Sequence, residues 1–160
     1  MARRPFREVP GACHWHCPAD IYHRSVLRIL SCNLYNGRAS PAAVGDVLDR
    51  LQPDVVVAQE LGPRAAVAIE ARLPHGALYP SLDHLGVGIA LRHKASVERV
   101  PMARRHGLRA RLEPPSWSRL PGPLEVLNVH LTNPLDRPWS STRMARAAQV
   151  QAILARLPAD

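Results

Sequence analysis

The sequence is short of several things, and each shortage removes a class of protein. A single Phe among 160 residues leaves no aromatic motif of the kind that reads RNA. Three cysteines, Cys13, Cys17 and Cys32, are too few and odd in number for a disulfide framework, which leaves the reducing cytoplasm as the default compartment. No apolar run approaches the roughly 18 residues of a membrane-spanning helix, and the Arg-dotted start lacks the apolar middle of a secretory signal. There is no Gly-x-Ser-x-Gly elbow and no Gly-x-x-x-x-Gly-Lys-Ser/Thr phosphate loop. Cys32 falls inside an apolar run, where a thiol is usually inert. No internal repeat is present.

What remains has ordinary globular proportions, with 46% apolar and 21% charged residues, so wholesale disorder and collagen-like structure are disfavoured. The length suits one domain, at about 100–200 residues per domain. The basic side is nearly all arginine, Lys94 being the sole lysine, and the formal net charge is +8. From Gly86 to Pro123 the basic residues Arg92, Lys94, Arg99, Arg104, Arg105, Arg109, Arg111 and Arg119 outnumber the acids Glu98 and Glu113. That excess suits an anionic partner or a solvated face equally well.

Residues 1–26 carry Pro5, Pro10, Gly11 and Pro18 without a sustained period, and read as an irregular or disordered extension. The domain is expected over 27–160. Leu27, Ile29 and Leu30 open a strand that ends near Asn33, and Asn36-Gly37 supplies turn chemistry. Ser40-Pro41 is an N-cap followed by proline at the first helical position, with Val44, Val47, Leu48 and Leu51 at helical spacing. Pro53 stops that helix, and Val55 to Ala58 read as a strand buried on both faces. Gly62-Pro63 opens a second helix, to about Leu73. Strand, helix, strand, helix argues for parallel pairing of the first two strands. Four strands then follow, Gly86–Arg92, Ala95–Pro101, Gly107–Glu113 and Leu124–Leu131, too closely spaced for helices between them and expected as an antiparallel meander. A last helix, capped by Ser140 or Ser141, places Val150, Ile153, Leu154 and Leu157 toward a core.

Open α/β sheets put their sites beyond the carboxyl ends of strands. Asn33, Glu60 and His130 occupy such ends, and parallel pairing of the first two strands brings Asn33 and Glu60 to one edge. Each also has a plainer use. Glu60 could stabilise the positive end of the following helix. Asn33 could punctuate a turn, and His130 could be a satisfied core histidine.

Leu27-Arg28-Ile29-Leu30-Ser31-Cys32-Asn33, Pro53-Asp54-Val55-Val56-Val57-Ala58-Gln59-Glu60, Gly86-Val87-Gly88-Ile89-Ala90-Leu91, Leu127-Asn128-Val129-His130-Leu131, and then Arg143 with Gln149 together resemble the endonuclease/exonuclease/phosphatase family, in order and spacing. The resemblance implies an α/β fold, part of a four-layered α/β sandwich, with a mixed sheet and helices on one face. It implies Mg²⁺-assisted phosphoester hydrolysis, with Mn²⁺ as an alternative, on nucleic acid, a phospholipid head group or an inositol phosphate. Glu60 corresponds to the metal ligand, Asn33 to a residue placing the metal or the phosphate, and His130 to a group that hydrogen-bonds or protonates the phosphate. Arg143 is a further candidate for a phosphate contact, with a surface ion pair as its plainer use.

Two motifs expected later in such a protein, Gly-Asp-Phe-Asn and Ser-Asp-His, do not occur in the sequence. The resemblance therefore implies an incomplete active site. It also implies that Val55, Val57, Val126 and Val129 lack an opposing sheet and expose an apolar face, which calls for self-association or a missing C-terminal half. Two rivals stand beside this reading. Cys13-His14-Trp15-His16-Cys17 offers four zinc-ligand types, but neither a strand nor a helix turns all four to one side, and no second cysteine pair follows. A non-catalytic module binding anions or nucleic acid through its basic meander is the other.

Overall fold

A computed structural model describes residues 26–35, 38–102, 105–113, 122–131 and 139–155. The Cys13–Cys17 segment and the rest of the expected extension up to residue 25 lie outside them, as do Asn36-Gly37, Arg104, Arg119 and Leu157. Strand β1 (Ile29–Asn33), helix α1 (Pro41–Leu51), strand β2 (Val55–Gln59) and helix α2 (Pro63–Glu70) follow one another as the pattern requires. Ser40 caps α1, its hydroxyl accepting from the Ala43 amide at 3.5 Å, with Pro41 in the first turn. Strands β1 and β2 are parallel, with Ile29 opposite Val55 and Asn33 opposite Gln59.

The meander departs from expectation. Strand β4 (Val87–Leu91) leaves it and enters the first sheet, whose order is β1-β2-β4-β3, with β3 (His75–Tyr79) at the edge. The reason lies in composition: Val-Gly-Ile-Ala-Leu carries no charge and is buried throughout, so it can occupy a sheet covered on both faces. The His75–Tyr79 strand escapes a reading by pattern because it is a short edge, exposed in its first two residues. Strands β5 (Ser96–Met102), β6 (Arg105–Leu112) and β7 (Leu124–Asn128) form the antiparallel meander as a separate second sheet.

The first sheet is mixed and is buried on both faces. On one face Val56, Ala58 and Ala90 pack with Leu48 of α1 and Ala65, Ala66 and Ile69 of α2. On the other, Val55, Val57, Val87, Ile89 and Leu91 pack with Leu108 and Ala110 of β6 and the partly buried Val126 of β7. This corrects the expectation of an uncovered face: the chain's own meander is the opposing sheet, and Val55 and Val57 are buried beneath it.

Helix α3 (Trp139–Leu154) packs on β5, giving helix, sheet, sheet, helix in section. Among its described side chains Thr142, Ala145 and Gln149 are buried, whereas Val150 and Leu154 are exposed. Of the expected apolar stripe, Ile153 is half-buried and in phase with the contact while Val150 and Leu154 are not, and the buried positions are a small residue and two polar ones. In α1, likewise, Leu48 is buried but Leu51 is exposed at the helix end.

The two sheets are joined by a polar tie. Asn128 is buried, and its side-chain amide donates to the carbonyls of Ala58 at 2.9 Å and Gly88 at 2.8 Å. The Gln59 amide donates to Asn128 Oδ1 at 2.6 Å. Every partner of this side chain belongs to β2 or β4, so it fixes β7 against the first sheet one residue short of Glu60 and two short of His130.

Candidate active site

Glu60 follows the last residue of β2 and takes a left-handed backbone, φ +50°. A side chain is held there at some cost, of order 1–3 kcal/mol, and such positions concentrate at functional sites. The turn sends the carboxylate to the end of the sandwich, where three groups from three separate segments meet it. Asn33 Nδ2, from the end of β1, donates to Glu60 Oε1 at 3.1 Å. His130 Nε2, two residues beyond β7, lies 3.5 Å from the same oxygen. His84 Nδ1, from the loop between β3 and β4, lies 3.1 Å from Oε2.

The three side chains expected at strand ends therefore stand together. The Glu60 and His130 side chains are 14% and 16% exposed, sheltered but open to a small ligand. Asn33 is oriented by the Tyr35 amide, which donates to its Oδ1 at 2.9 Å. Arg143 does not join them: it stands exposed on α3, with no ion pair or hydrogen bond to this cluster among the described residues.

Two members of the cluster were not legible in the sequence. His84 is placed by its loop, which is stitched to the residue after Glu60: the Leu61 amide donates to the Gly86 carbonyl at 2.9 Å and the Ser81 amide to the Leu61 carbonyl at 2.9 Å. Gly86 is required there, since a Cβ would stand 2.0 Å from the Leu61 oxygen. Arg105, at the start of β6, reaches His130 Nδ1 at 2.7 Å and the His84 carbonyl at 3.3 Å. Nothing in the sequence separates this arginine from its basic neighbours.

Electrostatics follow from these contacts. Burial works to raise the Glu60 pKa, but hydrogen bonds from Asn33 and His84, with the nearby His130 and His84 charges, outweigh it and leave the carboxyl below its usual value. His130 is held below the usual histidine value, first by burial and then by the Arg105 charge, against the opposing pull of Glu60 and a hydrogen bond to the His84 backbone.

Part of the basic surplus of this stretch is paired within the molecule. Arg109 pairs with Glu125 and Glu98, and Arg111 with Glu113 and Glu125. Arg92 pairs with Asp54, and Arg99 lies 3.9 Å over the Tyr79 ring. Among the described residues, the part of this surface around Arg109 and Arg111 is thus an ion-pair lattice.

As a cation site, the cluster offers the Glu60 carboxylate, since Asn33 turns its Nδ2 to that carboxylate and its Oδ1 to the Tyr35 amide. Among the described residues no group of three or more His, Cys, Asp or Glu side chains is arranged to hold a metal. A lone carboxylate is a ligand set that Mg²⁺ could use and a structural zinc could not, because Mg²⁺ keeps several waters and is usually bound through one or two carboxylates plus substrate oxygens.

Two sheets packed face to face between helices, with a carboxylate, an amide and imidazoles gathered at strand ends, define an α/β-sandwich protein with a polar strand-end site. The model of the Endonuclease/Exonuclease/phosphatase family matches residues 30–160, and the chain belongs to that family. Among solved structures it is similar to an endonuclease/exonuclease/phosphatase from Beutenbergia cavernae DSM 12333, with a TM-score of 0.60 and 18% identity over 82% of this chain and 44% of that one. It is also similar to D. rerio TDP2, solved in complex with a single-strand DNA product, with a TM-score of 0.54 and 22% identity over 82% of this chain and 56% of that one. The chain thus spans about half the length of these structures. No protein of curated function matches it. Among the described residues no helix is long and apolar enough to cross a membrane.

Proposed function

We propose that the chain carries the one-carboxylate end of a Mg²⁺-assisted phosphoester hydrolase site, with nucleic acid as the favoured substrate class. The observation that supports this most is the convergence of Asn33, Glu60 and His130, distant in sequence, on one carboxylate at 3.1 and 3.5 Å. Family membership supports the reaction class, and the single-strand DNA product in the TDP2 complex supports the substrate class.

Glu60 would hold the cation, with Mn²⁺ able to substitute. A bound divalent cation would neutralise charge developing on the phosphoryl oxygens. Asn33 fixes the rotation of the carboxylate, since its amide is itself fixed by Tyr35. His130 stands beside the carboxylate, where its ring can donate a hydrogen bond to a phosphate oxygen. The strained turn at Glu60 and the Asn128 tie hold the two sheets' contributions in register, which is preorganisation in the sense that matters for charge stabilisation. Arg143 has no part in this reading.

The test is calorimetric titration of the full chain with Mg²⁺, beside hydrolysis of a labelled single-stranded oligonucleotide. Saturable Mg²⁺ binding that Glu60→Gln weakens at least tenfold is expected, with turnover in this chain low because the residues present supply one carboxylate. Equal Mg²⁺ affinity in the wild type and Glu60→Gln would refute the assignment.

A further inference from the structure

We infer that Arg105 is a positioning residue for His130, holding the imidazole as its Nε2–H tautomer through a hydrogen bond donated to Nδ1.

A guanidinium has five N–H donors, no acceptor, and does not deprotonate in proteins. A separation of 2.7 Å between the Arg105 guanidinium and His130 Nδ1 therefore fixes the direction of the bond. The ring nitrogen must present its lone pair. A ring protonated on both nitrogens would set two donors face to face at that distance. The single ring proton consequently sits on Nε2, which lies 3.5 Å from Glu60 Oε1 and faces the space beside the carboxylate. The His84 carbonyl is the competing acceptor for a ring proton of His130, and Arg105 donates to that carbonyl as well, at 3.3 Å. One guanidinium thus contacts both the ring nitrogen and the carbonyl, and of the two only the carbonyl, with two lone pairs, can take a second donor.

Placement makes this possible. Arg105 is the first residue of β6 and lies opposite Met102, while His130 follows β7, which pairs with β6 on its other side. Which ring nitrogen carries the proton is set by what the other nitrogen meets. For the hydrolase reading, on which only this consequence rests, His130 then meets a phosphate as a neutral donor, while the positive charge stays on Arg105 behind it.

The test is a long-range ¹H–¹⁵N spectrum of the full chain's imidazoles, without metal or substrate, at a pH where the rings are neutral. His130 is assigned by its loss in His130→Gln. The expected wild-type pattern is a pyridine-type Nδ1 and a pyrrole-type Nε2. Arg105→Met should move both nitrogens toward the tautomer-averaged positions, and Arg105→Lys, which keeps a cationic donor, should restore them. A pyrrole-type Nδ1 in the wild type overturns the inference without recourse to any variant. So does a wild-type pattern that survives in a folded Arg105→Met protein. The readout needs no turnover, so the expected pattern in a protein that fails to bind Mg²⁺ would sink the hydrolase reading and leave this one standing.

Discussion

Glu60 concentrates what single residues contribute. Its carboxylate is kept ionised below the usual range, so ionisation favours the folded chain at neutral pH. A carboxyl whose folded pKa is depressed contributes stability above its unfolded pKa and loses it as pH falls through the folded value. In the presence of a chelator, the melting temperature of the wild type should therefore exceed that of Glu60→Gln near neutrality. The gap should narrow as pH drops below the ordinary glutamate value, and a gap that widens on acidification would contradict the contact geometry. Asn128 acts by satisfaction rather than charge. Truncation in Asn128→Ala leaves the Gln59 side-chain amide without its acceptor and removes a second donor from the Ala58 and Gly88 carbonyls, which keep their place in the β2–β4 ladder. Leaving a buried group unsatisfied costs about 1–3 kcal/mol, and urea denaturation of the variant should show a loss of that order. At this scale the sequence was informative where a residue closed an apolar run: Asn33, Glu60 and His130 could each be placed at a strand end. His84 and Arg105 could not, because one depends on the path of a loop and the other is one arginine in a run of them.

Among the elements, the β3–β4 connection decides the site more than either strand does. Gly86 brings the loop back against Leu61, and the loop then presents His84 to Glu60. Gly86→Ala would set a Cβ 2.0 Å from a backbone oxygen, so the loop must move. The expected result is loss of the His84 to Glu60 contact, seen as a shifted His84 ring resonance, with the β5–β7 sheet unchanged by hydrogen exchange. Helix α3 offers a second check. Leu154 is 53% exposed, and Leu154→Lys should change stability by no more than about 0.5 kcal/mol, as surface substitutions do. Ala145, buried against the sheet, should not tolerate the same side chain. Both elements show where a pattern misleads. A helix with small and polar residues at its contact, Thr142, Ala145 and Gln149, reads as if rotated, because hydrophobic spacing follows the apolar side chains that happen to face solvent. An uncharged strand, β4, reads as part of its local run, although its composition suits the centre of a different sheet.

For the whole molecule, the instructive correction concerns the second sheet. An arginine-rich meander does not advertise an apolar face, yet strict alternation gives β6 one: Leu108 and Ala110 turn inward while Arg109 and Arg111 turn outward to Glu98, Glu113 and Glu125. The chain thereby covers its own first sheet and pairs Arg109 and Arg111 with acids on the outward side. That same packing sets a strand end from each sheet beside the other, so the site exists only when the two sheets are in contact. The claim on which everything else depends is that this junction, centred on Glu60, grips a divalent cation. Mapping amide shifts of the labelled chain during Mg²⁺ titration examines it most directly. The account predicts perturbations gathered at residues 33–35, 60–61, 84 and 130, and their disappearance in Glu60→Gln. Shifts scattered over the acidic surface, or an unchanged pattern in that variant, would contradict it.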